Sequence, residues 1–441
     1  MQSSDSKGKA PADGTGSEAR IAELEAQLAN LNTQFTDYRT RASEALEKRW
    51  AERDAPRSDQ FVNAEEAEDA KYEAGYFDSY SFNEIHQIML QDAVRTDAYR
   101  DFIYDNKHLF ADKVVLDVGC GTGILSLFAV KAGARKVISV DNSAVIQKAK
   151  QIAAVNGVSN RIFFVQGKVE DIEFLPDGLE SVDVIVSEWM GYCLLYEAML
   201  DSVLHARDRF LKRNADGSFA GIMAPSHCSI HIAPLADPDW MADNVSFWRG
   251  VYGFDMQTML DGSFEDVVIR HPTNKDVVCA DEPSRKPVKV LDLYQVSVAD
   301  LEFTAPFEVK LDKDIDALDG FCTWFDCLFS PSAPAASVAD AQVFEKLTKQ
   351  SGAVVLSTSP YTKRTHWQCG NCVIDRETGT CSRPRKADED EEGVAVPLKQ
   401  GEVLTGSLQM TKAKEKRALD VALQWRTKDG KEQGKQKWKM R

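Results

Sequence analysis

Basic charge is what this chain has too little of: 53 Lys and Arg stand against 69 Asp and Glu, a formal net charge of −16 at pH 7. Such an excess repels phosphate backbones, which argues against direct nucleic-acid binding and favours basic proteins or peptides as partners. No run of 18 apolar residues occurs, and the opening MQSSDSKGKA has no apolar signal core, so neither membrane insertion nor secretion is encoded recognisably. No cysteine precedes Cys120 and no histidine precedes His86. The nine cysteines, from Cys120 to Cys381, make no regular framework and read as reduced thiols, mostly small core residues, in a cytoplasmic or nuclear protein.

At 441 residues the chain is long enough for two or three domains. Residues 1–16, rich in Ser, Gly, Lys and Asp, read as a disordered tail. Over 17–50, Ile21, Leu24, Leu28, Leu31, Phe35, Tyr38, Ala42 and Ala45 recur at alternating spacings of three and four, a heptad seam. The seam predicts a coiled-coil or docking helix whose partner the sequence does not identify, or a helix packed on its own protein. A charged linker, 51–70, follows. Residues 71–224 alternate strand-like runs (VVLDVG, KVISVD, RIFFVQG, VDVIVS) with helical segments, predicting a Rossmann-like α/β domain with a parallel sheet and ligands at the carboxyl ends of its strands. Residues 225–441 hold CSIHIAPL, KVLDLYQVSV, LEFTAPFEVKL, AVVLSTSP, EVLTGSLQM and LDVALQW, the pattern of an all-β domain.

The cofactor signal is VVLDVGCGTGILS. Gly119, Gly121 and Gly123 permit a tight bend after a buried strand and close approach of backbone to a ligand. Ile124 stands where a dinucleotide fingerprint needs Gly or Ala. With Asp117 on the strand and Asp141 twenty residues after Gly121, placed for ribose hydroxyls, the predicted ligand is a nucleoside without a pyrophosphate; S-adenosylmethionine meets that description. An ordinary strand-to-helix turn is the bland alternative.

SEWMGYCLLYE, 187–197, poses a different problem, since Glu188 and Glu197 bracket a mostly apolar run at the expected ligand face. Together with YFDSY (76–80), IHQIML (85–90), VRTDAYR (94–100), VLDVGCGTGILS and THWQ (365–368), in this order, it resembles the type I protein arginine methyltransferases over about 71–441. YRDFIY, LLYEAMLDSVL and Asp141 are most similar to a subfamily with an amino-terminal C2H2 zinc finger, for which this chain has no ligands before His86.

The resemblance implies transfer of methyl groups from S-adenosylmethionine to arginine nitrogens of arginine- and glycine-rich proteins, histone tails and RNA-binding or ribosomal proteins among them, giving monomethyl- and asymmetric dimethylarginine. A guanidinium is a delocalised, poor nucleophile, and a carboxylate pair would bind its fork and draw charge from the attacking nitrogen. By resemblance Glu188 and Glu197 are that pair. Arg95 would pair with the cofactor carboxylate, Asp141 would hold the ribose, and Val169 with Glu170 would contact the adenine. His86, also at the cofactor, shares a helix face with Met89, which would crowd the pocket and favour asymmetric product. Asp92 and His366 would receive the departing proton, while Tyr76, Phe77 and Tyr80 would close over the cofactor and complete the arginine pocket.

A barrel follows by resemblance, with a helical arm at about 235–262 for a head-to-tail homodimer, anchored by Trp240, Phe247, Trp248, Tyr252 and Phe254. No metal is expected, although His366, Cys369, Cys372 and Cys381 have spacings reminiscent of zinc ligands. DEDEE, 388–392, reads as a solvated loop or a steering patch for basic tails. An RNA or small-molecule methyltransferase on the same cofactor domain is the competing reading; the acidity and the paired glutamates disfavour it.

Overall fold

A computed structural model describes residues 73, 75–279, 286–333, 341–376, 395–414 and 417–441. The expected tail, coiled-coil helix and linker, Cys381 and DEDEE lie outside the described residues.

The four β-branched runs form β1 (Val114–Val118), β2 (Lys136–Asp141), β3 (Ile162–Gln166) and β4 (Val184–Val186); β5 (Ile222–Ala224) was not anticipated. All pair in parallel, in the order β3-β2-β1-β4-β5. β1 and β4 are buried at every residue, which is why they read as continuous apolar runs rather than as alternation. The order reverses between β1 and β4, and a ligand crevice opens beyond such a switch point. The glycine turn leaves β1 there, and the two-glutamate loop leaves β4. Helices α1 (Asn83–Gln91), α2 (Ala93–Asp105) and α3 (Lys107–Phe110) precede β1, and α4 (Ile124–Lys131), α5 (Ile146–Val155) and α6 (Leu200–Phe210) lie between strands of the sheet in the chain.

The parallel sheet ends at Ala224 and antiparallel strands begin three residues on. One sheet contains β6 (His227–Leu235), β7 (Val268–Arg270), β8 (Lys289–Asp292), β10 (Gly320–Phe329), β11 (Val354–Ser357) and β12 (Cys369–Val373). The other runs β15 (Gln433–Met440), β14 (Leu419–Thr427), β13 (Val403–Lys412), β9 (Phe303–Lys310). KVLDLYQVSV yields a strand only over Lys289–Asp292, because the Asp292 side chain accepts the Tyr294 N–H and its carbonyl accepts from Gln295 and Val296, turning the chain. A single apolar core runs from the parallel sheet into the barrel. Tyr99 on α2 packs edge-on against Phe329 of β10 at 4.7 Å, and its hydroxyl donates to the Ser187 carbonyl at 2.9 Å. Arg207 on α6 is buried and donates to the carbonyls of Leu293 and Val296, both at 2.8 Å.

The expected arm contains α7 (Pro238–Asn244), capped by Asp237 accepting the Trp240 N–H, and two single turns, Ser246–Arg249 and Gln257–Leu260. Of the five proposed aromatic anchors, Trp240 and Trp248 pack on Val245, Leu260, Phe264 and Val373 of their own chain. Phe247, Tyr252 and Phe254 are exposed.

Tyr99→Phe leaves a buried carbonyl at Ser187 without this donor, so it is expected to cost about 1–3 kcal/mol, measured by urea unfolding. An unchanged midpoint would show that the bond contributes nothing.

Candidate active site

Three glycines shape the turn after β1. Gly119, Gly121 and Gly123 have φ of 73°, 52° and 82°, backbone that a side-chain-bearing residue adopts only at a cost. A Cβ on Gly121 would stand 3.5 Å from the His86 ring, so the turn presents its backbone beneath α1. Asp141, ending β2, pins the turn: Oδ2 accepts the Gly121 N–H at 2.8 Å while Oδ1 accepts from the Ser143 N–H and hydroxyl. A carboxylate has about four lone-pair sites, so three accepted bonds leave Asp141 with acceptor capacity to spare. Val169 is buried, and Glu170 accepts from the Ser202 hydroxyl at 2.6 Å.

Asp117 stands below this surface rather than on it. Its side chain is fully buried and accepts from Ser126 at 2.6 Å, so it braces α4 against β1. Burial pushes its carboxyl up to about 7. His86 Nε2 lies 2.8 Å from the Tyr80 carbonyl, and burial lowers its ring pKa. Ring and carbonyl together tie α1 to the helical turn 75–79, which carries Tyr76 and Phe77, and to Tyr80 just beyond it.

The loop after β4 holds the two carboxylates. Ser187 anchors its start, donating to the Val118 carbonyl at 2.7 Å. Its middle folds back through reciprocal Gly191–Leu194 backbone bonds, and a Cβ on Gly191 would fall 2.0 Å from the Tyr196 carbonyl, so only glycine fits. Cys193, Leu194, Glu197 and Ala198 all have positive φ, at roughly 1–2 kcal/mol each. Contacts from elsewhere hold this conformation: Trp367 Nε1 donates to the Met190 carbonyl at 2.7 Å, and Glu197 N–H donates to the Arg417 carbonyl at 2.8 Å.

Each carboxylate has its own partners. Glu188 Oε2 accepts from Arg95 Nε at 2.9 Å and from Arg95 Nη2 at 2.7 Å, with the two side chains only 8% and 7% exposed, so water screens the pair little. Glu197 Oε2 accepts from Tyr80 at 2.7 Å and from Tyr76 at 2.9 Å. Burial raises the Glu197 carboxyl above its ordinary range; the two hydroxyls oppose the rise, the neighbouring Glu188 charge adds to it, and Arg417 opposes it. The same burial and the Glu197 charge raise both tyrosine hydroxyls. The structure therefore brings Glu188, Glu197, Tyr76, Tyr80 and Arg95 together. Arg95, expected at a cofactor carboxylate, directs Nε and Nη2 to Glu188 and Nη1 to the Met89 carbonyl at 3.3 Å. Met89 Sδ stands 4.0 Å from Arg95 Nη2, at the edge of the same cluster.

Asp92 joins α1 to α2 and caps α2 by accepting the Arg95 N–H at 3.1 Å. Its other oxygen accepts the His366 N–H at 2.8 Å and lies 2.7 Å from His366 Nδ1. Burial works against the Asp92 carboxylate, but these bonds outweigh it and hold its pKa below the ordinary value. Of the cysteines near His366, Cys369 Sγ lies 3.3 Å from the Thr358 carbonyl, and Cys372 is buried in β12. Among the described residues no group of three or more His, Cys, Asp or Glu is placed to hold a metal.

Sequence reasoning missed Arg417 and Glu73. Arg417 Nη1 donates to the Glu197 carbonyl at 2.7 Å, Nη2 pairs with Glu73 at 3.2 Å, and the guanidinium stacks on the Tyr76 ring at 3.9 Å. Nothing in KEKRALD distinguishes Arg417 from hairpin residues in solvent.

A five-stranded parallel sheet with a glycine turn at its switch point, continued by a β-barrel, is the architecture of a Rossmann-like methyltransferase. Residues 115–214 match the methyltransferase domain family, and 226–430 match the arginine methyltransferase oligomerization subdomain. Ribosomal protein arginine N-methyltransferase rmt3 of Schizosaccharomyces pombe is 40% identical over 353 residues, 79% of this chain and 57% of that protein. The chain thus spans little more than half of rmt3. Protein arginine N-methyltransferase 1 of the same yeast is 42% identical over 66% of this chain and 77% of its own length. Among solved structures, the Trypanosoma brucei PRMT1 enzyme-prozyme heterotetrameric complex with AdoHcy is similar at 34% identity and TM-score 0.66, over 82% of this chain and 100% of that one. The chain belongs to the protein arginine N-methyltransferases.

The Asp117 carboxyl holds a proton in the fold that the unfolded chain releases between 3.8 and about 7. The folded state binds more protons in that window, so this group's contribution to stability falls as pH rises through it. Asp117→Asn removes the contribution. Thermal unfolding across the window is expected to show the parent losing ground to the variant as pH rises; parallel curves would contradict the buried, raised carboxyl.

Proposed function

We propose that this chain is a type I enzyme, placing two methyl groups on one terminal nitrogen of arginine in basic, arginine- and glycine-rich protein segments. The observation that carries the reading is the pair of largely buried carboxylates on one loop, each fixed by separate donors, at the switch point where the cofactor turn also ends.

Bound S-adenosylmethionine supplies an electrophilic methyl group on a sulfonium. Gly119 and Gly121 would give the backbone approach, Asp141 would hold the ribose, and Val169 and Glu170 would contact the base. His86 supports the turn from α1, and Asp117 supports it from below. Arg95 orients Glu188 and, with Nη1 held only by a 3.3 Å bond to the Met89 carbonyl, would supply the cation for a carboxylate of the donor. Glu188 and Glu197 receive the substrate guanidinium by charge-assisted hydrogen bonds, which localise positive charge away from the attacking nitrogen. The attacking nitrogen would give up its proton toward His366, whose ring Asp92 orients. Tyr76, Phe77 and Tyr80 cover the site, excluding water. Met89 stands against Arg95 and narrows the space around the nitrogens, favouring the asymmetric product.

The net charge of −16 favours basic substrates. The rmt3 relative is named for ribosomal protein, which makes ribosomal proteins a reasonable first substrate class. Exposed Phe247, Tyr252 and Phe254 on the arm suit a homodimer, in keeping with the oligomerization subdomain match.

Mass spectrometry of an arginine- and glycine-rich peptide incubated with S-adenosylmethionine is expected to show asymmetric dimethylarginine. Glu188→Gln and Glu197→Gln each remove charge while keeping shape, and each is expected to lower kcat on the order of 10²–10³-fold. Symmetric product would overturn the type I reading, and full activity in either variant would overturn the carboxylate clamp.

A further inference from the structure

Glu197 is the catalytic carboxylate with the most demanding backbone: its φ is 77° and Ala198 after it has φ 53°. Both of its backbone polar groups are held by one residue. The Glu197 N–H donates to the Arg417 carbonyl at 2.8 Å, and the Arg417 Nη1 donates to the Glu197 carbonyl at 2.7 Å. Arg417 begins the chain entering β14, 220 residues away in sequence.

The same guanidinium reaches the cover of the site. It stacks over Tyr76 at 3.9 Å and lies 5.2 Å from the Phe77 ring, while Nη2 pairs with Glu73. Glu73 also pairs with Lys168, the residue before Val169 at the expected adenine end. Arg417 thus joins three elements: the strained loop bearing Glu197, the turn bearing Tyr76, one of the two tyrosines that donate to Glu197, and through Glu73 the segment after β3. A planar fork with several fixed donors and a stackable face can make these contacts at once; an ammonium cannot.

Resting on the methyltransferase reading above, we infer that Arg417 is a positioning residue for the Glu197 carboxylate, setting its backbone directly and its hydroxyl donors through Tyr76. The groups facing Glu197 are Tyr76 and Tyr80 from the covering turn, Arg417 from the barrel and Glu188 from its own loop. Glu73 balances the Arg417 charge from the far side. Removing the cation leaves Glu197 buried beside Glu188 with only tyrosine donors, which raises its pKa further.

The test compares the parent with Arg417→Ala and Arg417→Lys in peptide methylation, with S-adenosylhomocysteine affinity and thermal unfolding measured alongside. Misplacing one catalytic group by about an ångström costs about 10²-fold in kcat, the loss expected for Arg417→Ala with cofactor affinity retained. The acid limb of its kcat/KM profile is expected to move to higher pH. Arg417→Lys, which keeps charge without the fork, is expected to restore the acid limb but not kcat; if the alanine variant does not fold, this split alone decides. Parental kcat in the lysine variant, or losses that track the melting temperature with an unmoved acid limb, would overturn the inference. A parent that methylates no arginine would instead overturn the underlying reading, whereas an active parent with unaffected variants overturns only the role of Arg417.

Discussion

In the proposed clamp Glu197 must carry its charge while buried next to a second carboxylate, and the contacts around it answer that electrostatic difficulty. Burial and the Glu188 charge both favour the protonated form of Glu197. Against them stand two tyrosine hydroxyls on a single oxygen and the Arg417 guanidinium. Glu188 is balanced separately by two donors from Arg95. Dividing the counter-groups in this way places the tyrosine and Arg95 donors on Oε2 of the two carboxylates. In the proposed clamp, a guanidinium entering between them would bring the charge that relieves their repulsion, making substrate binding and stabilisation of the site one electrostatic event.

The fold supplies the geometry for this arrangement. Placing the β1 and β4 loops side by side at the switch point sets the glycine turn and the two carboxylates together. The barrel then contributes from behind: Trp367 and Arg417 hold the carboxylate loop, and His366 reaches Asp92 between α1 and α2. Left-handed residues in that loop persist because these distant contacts over-determine it. Neither the parallel sheet nor the barrel contains the complete site.

Legibility in the sequence followed burial pattern. β1, β2 and β4 were readable because strands covered on both faces become unbroken β-branched runs, and the glycine turn and Glu188–Glu197 spacing mark the loops beyond them. β15 was missed because alternating lysines hide the buried Trp438 and Met440, and the buried β10 carries Asp326 and Thr323 within its apolar run. Asp117 read as a ligand residue because one-dimensional order does not tell a strand's exposed end from its buried side. Arg95 read as a partner of the cofactor alone, because its contact with Glu188 spans 93 residues and has no local signature. Arg417 was invisible for the same reason.

The most direct measurement is the affinity of the protein loaded with S-adenosylhomocysteine for an arginine-containing peptide and its citrulline counterpart, followed as pH is lowered. Citrulline keeps the shape and removes the charge. The account predicts that the arginine peptide binds far more tightly, and that its advantage fades as pH falls through the raised range of Glu197, where protonation removes one of the two charges. Equal affinity for the two peptides, or an arginine preference that ignores pH throughout that range, would contradict the claim that a buried pair of carboxylates recognises the guanidinium.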